Sequence, residues 1–61
     1  MYRFVFICEM DLARTYLRHG KLAVAFEAAE AAWQAAWELQ DSHRMQEALE
    51  LQGQIALEAA A

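Results

Sequence analysis

The chain has 61 residues, a formal net charge of −4 at pH 7 and an apolar fraction of 59%. This length allows one small domain with a marginal core, and a single cysteine excludes an internal disulfide. The acidic charge argues against nucleic-acid binding, and no apolar run is long enough to span a membrane. A lone cysteine without an export signal predicts a cytoplasmic protein. Because so small a core needs support, we expect a protein partner.

Three helices joined by two short turns are predicted, since proline is absent and helix-forming residues are abundant. The helices are expected at residues 4–19, 22–40 and 43–60. The first should end at Gly20, because glycine readily takes the left-handed conformation that closes a helix. Asp41 and Ser42 should open the third helix, because their side chains accept hydrogen bonds from its free amides. Short turns make neighbouring helices antiparallel, so the expected fold is all-α.

The second predicted helix combines an apolar stripe with a column of alanines. The stripe follows steps of three and four: Leu22, Phe26, Ala29, Trp33, Ala36 and Trp37. The alanines beside it are Ala25, Ala28, Ala32 and Ala35. Small side chains let helix backbones approach closely, so we expect this helix to pack between two neighbours.

The third predicted helix carries more apolar residues than one core-facing side can hold. One stripe consists of Met45, Ala48, Leu49, Ile55 and Ala56. Leu51 and Leu57 are expected to point away from that stripe and to contact a partner. We therefore expect that the chain is not a monomer at working concentration, and that it binds a second copy or a larger protein.

A motif of small and aromatic residues spans the first turn. Its residues are Leu12, Ala13, Tyr16, Gly20, Ala25, Ala29 and Ala32, and a weaker copy begins at Leu49, Gly53 and Ala56. This order resembles the tetratricopeptide repeat (TPR), in which small residues lie where two helices cross. The resemblance covers roughly residues 8–60. It implies about one and a half extended repeats: a helix-turn-helix unit followed by an unpaired third helix. A helical hairpin unrelated to the repeat is the alternative.

The resemblance implies a non-catalytic protein–protein interaction module without a cofactor. In the family the inner helix lines a concave groove, where Arg14 and Arg18 would bind an acidic peptide group through bidentate hydrogen bonds. Pairing of these arginines with Asp11, or with glutamates of the second helix, is the alternative interpretation. The alternative function is a small structural subunit that stabilises a multiprotein complex without recognising a peptide.

The remaining chemically distinctive residues do not form a catalytic or metal-binding pattern. His19 and His43 flank the second helix and would lie about 30 Å apart at 1.5 Å per residue, too far to share a metal. Cys8 lies in an apolar run, so we expect it to be buried. Trp33 and Trp37 are one turn apart and are expected in the core or an interface. We therefore predict that the chain is not an enzyme and binds no metal.

Overall fold

The computed structural model describes residues 1–61 and contains three α-helices and no strand. The helices are α1 (Tyr2–Arg18), α2 (Leu22–Glu38) and α3 (Ser42–Ala60). This confirms the predicted all-α fold, a helical hairpin with a third helix. The bounds differ slightly from the expected ones. Helix α1 starts two residues earlier, because nothing in Tyr2-Arg3 interrupts it, and α2 ends at Glu38 because Leu39 and Gln40 belong to the turn.

Both turns close the preceding helix with a left-handed residue. Gly20 has a φ of +73°, which confirms the predicted conformation. The Gly20 amide donates to the Leu17 carbonyl at 3.0 Å, and the Lys21 amide donates to the Tyr16 carbonyl at 2.9 Å. These bonds satisfy carbonyls that the end of α1 would otherwise leave free.

The second turn repeats this hydrogen-bond pattern without a glycine. Gln40 has a φ of +53°, and its amide donates to the Trp37 carbonyl at 2.9 Å. The Asp41 amide donates to the Ala36 carbonyl at 3.1 Å. A side chain is disfavoured in the left-handed region, so Gln40 holds local backbone strain that glycine would relieve.

Asp41 caps α3 as expected and also binds Arg44, which contacts α1. Its Oδ1 accepts a hydrogen bond from the Arg44 amide at 3.1 Å, and its Oδ2 accepts one from Arg44 Nε at 3.1 Å. The Arg44 guanidinium carbon lies 5.3 Å from the centre of the Phe6 ring. A cation over an aromatic face is attracted by the ring. This contact therefore joins the start of α3 to α1.

The core is built mainly from alanine. Helix α2 packs against both other helices, whereas α1 and α3 contact each other little. Twelve residues are buried, and eight of them are alanines: Ala13, Ala25, Ala28, Ala29, Ala32, Ala35, Ala36 and Ala48. The other four are Phe6, Met10, Leu51 and Ile55. Each buried alanine removes little apolar area from water, so the hydrophobic stabilisation of this core is small for its residue count.

The expectation that Leu51 would be exposed and contact a partner was wrong. Leu51 is only 7% exposed, because α3 packs through the stripe formed by Ala48, Leu51 and Ile55. The alanine surface of α2 leaves room for these two larger side chains. Leu49, which was expected in the core-facing stripe, lies in solvent instead. Leu57 is 75% exposed, as expected.

Candidate interaction surface

Large apolar side chains lie mostly on the outside of this protein. The exposed ones are Met1, Tyr2, Phe4, Val5, Ile7, Leu12, Val24, Phe26, Trp37, Leu49 and Leu57. Phe4 and Trp37 are 70% and 59% exposed. Single exposed apolar residues are normal, so the significance of these depends on whether they form continuous surfaces.

One such surface is an open groove between α2 and α3, with no α1 residue in its lining. Leu22 and Phe26 of α2 line one end of it, together with Ala56 and Ala59 of α3. This end has a volume of about 730 Å³, and its one charged lining residue is Glu27. The end is therefore apolar, with a carboxylate at its edge.

A separate, smaller hollow lies near the opposite end of both helices. Trp37 follows Phe26 on the same side of α2, since eleven residues make about three turns. Trp37 and Met45 line this hollow, which has a volume of about 280 Å³. Leu49 lies one turn after Met45 and is exposed. We call the surface that includes both hollows the α2/α3 groove; from residue 22 to residue 37 it is about 22 Å long at 1.5 Å per residue.

The two tryptophans of α2 form a stacked pair, of which Trp33 packs against the core. Their rings stack with centroids 5.7 Å apart and planes inclined by 19°. Trp33 is partly buried, and its Nε1 is buried without a hydrogen-bond partner, whereas Trp37 is exposed. Both residues line a hollow of about 570 Å³ beside Tyr2 and Val5 of α1, and Trp37 also lines the hollow beside Met45.

A second apolar surface lies on α1, opposite its core-facing side. The core side of α1 consists of Phe6, Met10 and Ala13. The outward stripe, which we call the α1 surface, contains Phe4, Cys8, Asp11, Leu12, Thr15 and Arg18. The expectation that Cys8 would be buried was wrong: its thiol is free and exposed. Cys8 follows Phe6 by two residues, which is about half a helical turn, so it lies on the far side of α1.

The two arginines predicted to bind an acidic peptide group differ in the contacts they make within the chain. Arg14 Nη1 lies 3.7 Å from Asp11 Oδ1, as the alternative interpretation expected. Arg18 donates a hydrogen bond to Thr15 Oγ1 at 3.3 Å and forms no ion pair. Arg18 is therefore the better candidate for binding an external carboxylate.

Most charges without an ion-pair partner are segregated along the chain, with Glu9 of α1 as the exception. Arg3, Arg18 and Lys21 form no ion pair, and all three precede α2. Five carboxylates on α2 and α3 also lack an ion-pair partner: Glu27, Glu30, Glu38, Glu50 and Glu58. Helix α2 contains no basic residue, and α3 contains none after Arg44. The two helices that form the groove are thus strongly acidic.

Both histidines lie at the surface. His19 is exposed, and His43 Nδ1 lies 3.6 Å from Glu47 Oε1. No group of three or more histidine, cysteine or acidic side chains is close enough together to hold a metal ion. None of the three helices is both long enough and apolar enough to cross a membrane.

Comparison with protein-family models, curated proteins and solved structures finds no significant match to this chain. The function therefore has to be argued from the chain's own residues, above all from the two apolar surfaces and the segregated charges.

Proposed function

We propose that the chain is a cytoplasmic, non-catalytic protein–protein interaction module built from TPR-like helices, which assembles with itself or with a larger protein. One observation carries the proposal. The core consists mainly of alanine, whereas the large apolar side chains are exposed. A protein that only had to fold by itself would be more stable if its large apolar side chains, rather than its alanines, were buried.

The energy available from covering these side chains is substantial. Burying one large apolar side chain completely contributes about 1.5–3 kcal/mol. Covering the exposed fractions of Phe4, Trp37 and Leu57 would thus contribute about 3–6 kcal/mol. Association costs about 4–15 kcal/mol in lost freedom, so a stable contact needs several more side chains. Phe26 and Leu49, which lie on the same side as Trp37, are further exposed side chains that such a contact could cover.

The turn between α1 and α2 supports the TPR-like description. Ala13 and Ala25 are both fully buried, as small residues at a close helix crossing should be. Gly20 is left-handed at the tip of the hairpin. These three positions match the motif on which the resemblance rests, and TPR units commonly function by binding other proteins through their surfaces.

The test compares the natural chain with a variant whose groove is no longer apolar. Phe26→Gln combined with Leu49→Gln removes two exposed apolar side chains from the groove while keeping good helix formers. Val24→Gln is the matched control, because Val24 lies on the opposite side of α2, beside Leu12 and Tyr16. Two quantities are measured: the mass in solution by sedimentation equilibrium, and the proteins that each purified chain retains from a cell extract.

We expect the natural chain and the Val24→Gln control either to exceed the 7.0 kDa mass of one chain or to retain the same specific protein. The groove variant should lose that behaviour without losing helicity. If the natural chain stays at the mass of one chain and retains nothing that the groove variant lacks, the proposal is wrong.

A further inference from the structure

We draw no further inference here: the strongest candidate, the apolar hollow between α2 and α3 lined by Leu22, Phe26 and Ala56, carries none, because nothing in the structure shows what covers it.

Discussion

Replacing Ala25 with leucine tests the close packing of the alanine core. Ala25 is 0% exposed and lies on α2 between α1 and α3, next to the equally buried Ala29. Leucine adds three carbon atoms for which this packing has no space, and such overpacking typically costs about 1–3 kcal/mol. A chain of this length has a total stability of about 3–9 kcal/mol. The substitution should therefore remove a large share of it.

The assay is thermal and urea unfolding followed by far-ultraviolet circular dichroism. For so small a domain each kcal/mol lowers the melting temperature by about 4–8 °C. Ala23→Leu is the control, because Ala23 is on the same helix but exposed, and leucine is also a good helix former. An Ala25→Leu protein that melts with the natural chain, or an Ala23→Leu protein that loses as much stability, would refute the close-packing argument.

Four further substitutions and one chemical modification test the turns, a helix interior and the exposed thiol. Gly20→Ala should lower the free energy of unfolding by about 1 kcal/mol, because alanine is disfavoured at a positive φ. Gln40→Gly should raise it by about 1 kcal/mol, because glycine tolerates the positive φ of this position. If urea unfolding showed that both substitutions change the stability in the same direction, the left-handed conformation of these two residues would be contradicted. Gly53→Ala should stabilise by about 1 kcal/mol, since an added Cβ in α3 meets no atom within 4 Å; a loss of stability would show an unseen contact. Asp41→Ala should cost about 0.5–2 kcal/mol through loss of the cap, and an unchanged urea midpoint would argue against that cap. Cys8 should react with a thiol reagent at the same rate in the native and urea-unfolded chain, and strong protection in a form shown to be monomeric would contradict its exposure.

The sequence was sufficient to predict the helices and the first turn because their signals are local. Gly20 follows a basic helix end, and Asp41 stands where a cap is needed, so each can be recognised without tertiary information. The second left-handed residue could not be recognised in this way, because Gln40 has no intrinsic preference for that conformation. The hydrogen bonds around the turn hold Gln40 there, and those depend on where α3 must start.

The side of α3 that faces the core could not be predicted from its own sequence. Two apolar stripes are possible on this helix, one through Leu49 and one through Leu51. The choice depends on the neighbouring alanine surface of α2 and on the contact between Arg44 and Phe6, both of which are tertiary. Cys8 was misplaced for a similar reason. The apolar run around it suggested burial, but only one side of α1 faces the core.

The α2/α3 groove was visible in the sequence only in part. The stripe containing Phe26 and Trp37 was recognised as apolar, but it was expected to pack against neighbouring helices of the same chain. In the structure the alanines take that place, and both aromatic side chains are left at the surface. A sequence pattern shows which side of a helix is apolar, but it does not show whether the chain itself has a helix to cover it.

The most direct test of protein binding at this surface replaces Phe26 with a photo-crosslinking benzoyl-phenylalanine. Irradiation is carried out on the purified chain and on the chain in a cell extract, with the same analogue at position 24 as the control. We expect a covalent product from position 26, either between two chains or with a protein of the extract, that position 24 does not give. If position 26 yields no product with any protein under either condition, or none beyond the position 24 control, the groove is not a protein-binding surface.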